Sequence, residues 1–366
     1  MSGLEIPSLS SIEPARFETP VVLKQLAAAS RQLAELKGMA ASIPNQQILV
    51  TSLGIQEAKD SSEIENIFTT HDELFRDAAS PEAAGNAAAK EVLRYRQALR
   101  AGFEMVRSTS LLTNNHILRV HAELEQNDAG FRKVPGTTLK DGSGRIVYTP
   151  PQDAREIQAL MQDLERFING AVDFPADPLI RMALIHHQFE SIHPFYDGNG
   201  RTGRIVNVLY LVKERLLDIP VLYMSREILR TRSEYYRLLR EVRERDAWDE
   251  WVLYMLKVVE ETARDGIATV GAIRDALLQV KHQVRRDYKF YSQDLINNIF
   301  SNPYTRIQFV AEELDVSRLT AAKYLDQLAH GGVLRKVKVG RSNLYINVKL
   351  CAILTGTSEQ SVSVGA

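Results

Sequence analysis

The sequence predicts a mainly α-helical protein: a helical core carrying a small β-hairpin, preceded by an N-terminal helical region and followed by a winged helix-turn-helix. Three observations lead there. Residues from Pro20 to Arg107 are rich in Ala, Leu, Glu, Gln and Arg, with breaks near Pro44 and at Ser80 to Asn86, the composition of several consecutive helices. Apolar residues recur at helical spacing over Pro178 to Ser191, about Gly200 to Leu217, and Ser233 to Asp265. β-type signals are confined to two places, Ala129 to Pro151 and Val333 to Val348.

Each element has a local reason. AGFRKVPGTTLKDGSGRIVYTPP, Ala129 to Pro151, concentrates Gly, Pro and β-branched residues, which favours a loop or loose hairpin over helix. Pro178 stands at the start of the next helical stretch, where its missing N–H costs nothing. Near the C-terminus two helical segments meet at a turn at Asp315-Val316, and Ser317 is placed to cap the second. Two alternating segments follow, Val333 to Val339 and Asn343 to Val348, joined across Gly340-Arg341-Ser342, completing a winged helix-turn-helix pattern. The expected division is an N-terminal helical region at 1–110, a core at 111–265, a linker helix with the winged helix at 266–350, and a tail at 351–366 whose last stretch, GTSEQSVSVGA, looks disordered.

Bulk properties narrow the function. With 366 residues, 45% hydrophobic and 25% charged with a net charge of -1, the chain has the balance of a globular protein of two or three domains and is not a wholly basic nucleic-acid binder. Cys351 is the single cysteine, so no intrachain disulfide can form. The first twenty residues lack signal-peptide character and no apolar run reaches membrane-spanning length. A cytoplasmic location with no membrane partner is the expectation.

The densest chemistry lies in HPFYDGNGRTGR, His193 to Arg204, between two helices. A nucleoside triphosphate needs backbone donors, cations and a divalent metal, because its charge must be met at several oxygens at once. Gly198, Asn199 and Gly200 can turn successive N–H groups inward as an anion nest, and the helix beginning there adds its positive dipole end. Arg201 and Arg204, three apart, share one face of its first turn. Asp197 is a hard oxygen ligand suited to Mg2+, and His193 can take a proton from an attacking hydroxyl.

This segment matches the Fic-family signature HPFxxGNGRxxR at every fixed position, and the chain resembles that family over most of its length. The resemblance implies a Fic-fold core that moves AMP from ATP to a Ser, Thr or Tyr hydroxyl of a target protein or of itself, releasing pyrophosphate. It implies His193 as the base, Asp197 as the holder of Mg2+ (or Mn2+), Asn199 with the Gly198 and Gly200 backbone on the α- and β-phosphates, and Arg201 and Arg204 on the distal phosphates. Thr202 and Gly203 fall in the same nucleotide-binding run. Related death-on-curing proteins, which transfer a γ-phosphate, carry Lys where this chain has Gly200, which favours AMP transfer here. The loop from Gly130 to Pro151 resembles the flap that pins a target side chain by strand-like pairing, with Thr137, Thr138, Leu139 and Lys140 as its working tip. Tyr235 and Tyr236 resemble an aromatic pair found near the adenine in some members. A homodimer is the expected assembly.

Upstream, Ser61-Ser62-Glu63-Ile64-Glu65-Asn66 fits the family's inhibitory pattern: Ser or Thr, three residues, Glu, then Gly or Asn. The implied logic is that Glu65 pairs with Arg204 and withholds it from the γ-phosphate. In members with the inhibitor in this N-terminal position, the same glutamate can position water for removal of AMP. An alternative reading is a nucleotide-sensing DNA-binding regulator, supported by Arg318, Lys323, Arg335, Lys336, Lys338 and Arg341 in the winged helix. A donor other than ATP is a third possibility.

Overall fold

Helices α1 (Pro20–Ala41), α2 (Gln47–Ile64), α3 (His71–Ala79) and α4 (Ala87–Thr109) occupy the N-terminal region of the computed structural model, which describes residues 6–79, 86–339 and 342–362. The expected break near Pro44 separates α1 from α2; that at Ser80 to Gly85 lies outside the described residues. Next come α5 (Asn114–Glu125), strands β1 (Leu139–Lys140) and β2 (Ile146–Tyr148), then α6 (Ala154–Ile168), α7 (Pro178–Ile192), α8 (Asn199–Lys213), α9 (Ser225–Arg230), α10 (Arg232–Arg245) and α11 (Trp248–Asp287). The chain closes with α12 (Gln293–Ser301), β3 (Tyr304–Thr305), α13 (Ile307–Glu313), α14 (Arg318–His330), β4 (Arg335–Val339), β5 (Ser342–Ile346) and α15 (Val348–Thr355). Among the described residues no helix is long and apolar enough to cross a membrane.

Two compact units emerge. One comprises residues up to Glu35, Asp60–Asn66 and Arg94–Arg264; the other Leu36–Lys59, Ile67–Leu93 and Asp265 onward. The first is built around α7 and α8. Helix α7 starts with Asp177 accepting from the Leu179 amide at 2.8 Å, beside Pro178, and buries residues on every side, as a central helix must. Two glycines permit close helix approach. A Cβ on Gly203 of α8 would lie 2.6 Å from Glu190 Oε1 and 3.0 Å from the Phe189 ring; one on Gly102 of α4 would lie 2.5 Å from Leu209. Helix α11 is tied to α7 by the buried Trp251 indole, which donates to the Ala183 carbonyl at 2.8 Å.

The Ser233 to Asp265 stretch is not one helix. It breaks at Asp246, which sits at φ 56° and caps α10, and α11 then runs without interruption past the expected boundary at 265. The turn 141–144 closes the β1–β2 hairpin: Asp141 accepts from the Ser143 and Arg145 amides, and Thr137 to Lys140 form the arm that leads into it.

In the second unit β3, β5 and β4 form an antiparallel sheet in that order, with Tyr304 opposite Ile346 and Val339 opposite Ser342. Ser317 accepts from the Thr320 amide at 3.1 Å and caps α14 as its position suggests. Its core contains a closed polar network in which Thr305 donates to Asn298 and Asn298 to Glu313. Cys351 to Thr355 belong to α15, and the Val362 carbonyl accepts from Arg335 at 2.8 Å. Arg335 is thereby occupied, and Lys336 is held by Asp326 at 2.7 Å. Arg341 lies outside the described residues, which leaves Arg318, Lys323 and Lys338 of the expected basic cluster.

Candidate active site

The signature loop is held by its own side chains. Asn199 is buried, accepts from the Phe195 amide at 2.8 Å and donates to the Phe195 carbonyl at 2.8 Å, closing the loop across four residues. The amides of the loop and helix start are thereby held in place. Gly198 stands at φ 72° as the N-cap of α8, so the amides of Asn199, Gly200 and Arg201 begin the helix without intrahelical acceptors. Asp197 is 87% exposed; one carboxylate oxygen accepts from the Gly198 amide at 2.7 Å. Thr202 and Gly203 turn away from this nest: Thr202 is fully buried and Gly203 packs on Phe189 and Glu190 of α7.

His193 caps α7 in the left-handed conformation, φ 49° and ψ 59°. Its Nδ1 is buried with no hydrogen-bond partner among the described residues. Burial and then the Arg132 cation push its pKa down to about 4, against the pull of Glu65 and Asp197. The imidazole is thus neutral at ordinary pH, as a base must be.

Arg204 is 1% exposed. Its Nη2 meets Glu65 Oε1 at 2.8 Å and the Ser61 carbonyl at 2.9 Å, and its Nε donates to Ser61 Oγ at 2.8 Å. The Glu65 carboxylate, 32% exposed, also occupies the space a side chain at Gly200 would need. Asn66 follows at φ 63° and accepts from Arg232 at 3.1 Å, so the pattern's final Gly or Asn is the residue that tolerates the left-handed turn ending α2.

The two tyrosines part company. Tyr235 is 1% exposed, with its hydroxyl 2.8 Å from His186 Nε2, and has no free face for an adenine. Tyr236 is 44% exposed, its ring edge-on to Tyr235 and beneath the Arg232 guanidinium at 5.8 Å.

Sequence reasoning missed His121 and Glu125, which lie one turn apart on α5. The His121 ring stacks on Phe195 at 3.7 Å and meets the Asp197 carbonyl at 3.0 Å. Glu125 pairs with the buried Arg201 at 3.0 Å and packs against Gly198. Two polar residues at i and i+4 on an otherwise apolar face were the available signal. Arg132 and Tyr196, also missed, had none.

Models of the Fic/DOC family match over two stretches: the family's N-terminal region over residues 23–104 and the family domain itself over 111–211. The chain belongs to the Fic/DOC family. A third match, to the C-terminal domain of SoFic-like protein adenylyltransferases, covers residues 277–350. Among curated Fic relatives, protein adenylyltransferase fic-1 of Caenorhabditis elegans is 29% identical over 154 residues, 40% of this chain and 29% of that protein. Protein adenylyltransferase Fic of Drosophila melanogaster is 33% identical over 96 residues, 26% of this chain and 18% of that protein. The chain thus spans less than a third of these relatives. Its fold is that of a Fic family protein from Desulfovibrio desulfuricans, with a TM-score of 0.59 at 19% identity over 92% of this chain and 98% of the other. The C. elegans Fic-1 structure aligns with a TM-score of 0.52 at 18% identity, covering 68% and 72%.

Proposed function

We propose that this Fic protein is a protein adenylyltransferase, moving AMP from ATP to a hydroxyl side chain of a protein and of itself, and that Glu65 restrains it. The observation that carries the reading is the meeting, at the first turn of α8, of an open amide nest, an exposed carboxylate and an arginine held by a carboxylate, all following a neutral histidine at the end of α7. The nest and the helix dipole would hold the α- and β-phosphates. Arg204, once released, would hold the γ-phosphate, and Arg201, oriented by Glu125, would sit beside it. His193 would accept the proton of the attacking hydroxyl as its oxygen bonds to the α-phosphorus and pyrophosphate leaves. Tyr236 is the tyrosine placed to contact the base. In the restrained state Glu65 would orient a water for hydrolytic removal of AMP, which restores the target hydroxyl and releases free AMP.

Asp197 fits Mg2+ (or Mn2+). It offers an exposed carboxylate beside the nest, and substrate phosphates and water would complete the shell. Held there, the metal would supply neutralisation of phosphate charge. Asp197→Ala is accordingly expected to abolish transfer from α-labelled ATP, as is excess chelator with the wild type; full transfer under either condition refutes the assignment.

The chain would work in the cytoplasm, as a homodimer. Its 266–350 segment, read as a winged helix, serves better as a protein-binding module than as a DNA reader, since Arg335 and Lys336 are taken by internal partners. Salt-sensitive binding to mixed-sequence DNA in mobility-shift assays at two ionic strengths would restore the DNA-binding regulator. Transfer assays with four labelled triphosphates test the functional proposal directly: transfer from ATP alone is expected, and transfer of none of the four overturns it.

A further inference from the structure

We infer that Arg132 is a positioning residue that joins the hairpin and the His193 turn into one mechanical unit, so that whatever pairs with the hairpin acts on the base. The inference rests on the adenylyl-transfer reading above. Helix α7 runs out at Ile192, and the carbonyls of its last turn and exit need donors from elsewhere. Four successive ones, Ser191 to Pro194, obtain them from the two roots of the hairpin. Tyr148 Oη donates to the Ser191 carbonyl at 2.8 Å. Arg132 supplies the rest: Nη2 to Ile192 at 3.4 Å, Nε to His193 at 2.8 Å and its own amide to Pro194 at 2.8 Å. The same Nη2 reaches the Pro151 carbonyl at 2.8 Å, tying down the far root.

Arg132 is 1% exposed and forms no ion pair among the described residues. A buried cation without a counter-ion is expensive, and here it is compensated by main-chain dipoles at the negative end of α7. The guanidinium reaches the His193 and Pro151 carbonyls from two different nitrogens held in one plane, whereas a lysine carries its three donors on a single nitrogen and cannot reproduce that spacing. His193 is a non-glycine residue in left-handed backbone, a conformation that persists only where its surroundings hold it. The Arg132 bond to its carbonyl is such a hold.

The arm that leaves Arg132 is pinned as well. Tyr196, in the signature loop, accepts from the Lys133 and Val134 amides at 3.0 and 3.1 Å. Gln152 accepts from the Gly136 amide at 2.6 Å and donates to the Thr137 carbonyl at 3.0 Å. A displacement of Leu139–Lys140 therefore has little slack before it moves Arg132 and, through it, His193.

The test compares full-length Arg132→Lys, Arg132→Gln and Tyr148→Phe with the wild type. Automodification rate at saturating labelled ATP, calorimetric ATP affinity, thermal melting and NMR titration of the His193 ring are measured. Arg132→Lys should lose roughly 10- to 100-fold in rate with ATP affinity unchanged, the signature of a displaced base. Tyr148→Phe, which removes one hydrogen bond, should lose roughly fivefold. In Arg132→Gln the His193 titration should move up, since the cation is gone while the Glu65 and Asp197 carboxylates still face the ring. A folded Arg132→Lys with unchanged rate overturns the inference. Should the wild type transfer nothing, the activity reading fails by itself, and an unmoved His193 titration in Arg132→Gln then overturns the coupling. Should both Arg132 variants fail to fold, an unchanged rate and His193 resonance in Tyr148→Phe do so.

Discussion

His193→Ala is expected to lower AMP transfer about a hundredfold or more, the usual contribution of a positioned general base, while ATP binding remains close to wild type. The separation follows from placement: the phosphate-binding groups belong to the first turn of α8, and His193 to the end of α7. The pH profile adds a second check. Burial and Arg132 put the His193 pKa at about 4, below the ordinary 6.5, so the base form dominates as soon as pH exceeds that lower value. kcat/KM, which reports the free enzyme, should therefore be flat from about pH 5.5 to 8. A wild-type acid limb centred near the ordinary histidine value, or equal transfer by His193→Ala, would sink the assignment.

Glu65→Gly is expected to raise ATP use and automodification. It frees Arg204 for one charge-assisted contact to the γ-phosphate, worth about 1.5 to 3 kcal/mol, or roughly 10- to 150-fold. The carboxylate is 32% exposed, so solvent screening places the gain toward the lower end. Ser61 continues to hold the guanidinium through its hydroxyl and carbonyl, which keeps Arg204 aimed after the carboxylate is gone. Removing Arg204 in the same chain should cancel the gain, and that non-additivity separates relief of restraint from general loosening. The nucleotide-free variant should also melt lower, because a buried arginine has lost its counter-ion, and ATP should restore more stability to it than to the wild type. Labelled-AMP transfer and calorimetric ATP binding across the four proteins decide the matter. An unchanged Glu65→Gly protein would leave 61–66 as an ordinary helix end.

What the sequence by itself determined is what short contiguous runs can specify. The helical class follows from composition and apolar spacing, and the candidate site follows from twelve consecutive residues in which Gly198, Asp197, Arg204 and His193 have the types that the proposed phosphate, metal and proton chemistry would require. The Ser61 to Asn66 run was legible only beside that signature, because glutamates in helices are commonplace. Tertiary structure decided everything that depends on packing between distant segments. Asn199 bonds across the loop to Phe195 and Tyr235 is buried on His186, contacts that residue type alone does not announce. Arg132 stands 61 residues before the carbonyl it holds, and Glu125 meets Arg201 from another helix. The helix break at Asp246 and the continuation of α11 past Asp265 likewise have no strong local mark. Periodicity records which face of an element is apolar; it carries no record of which buried polar group will meet which, because that is settled when helices pack and each desolvated donor or acceptor must find a partner.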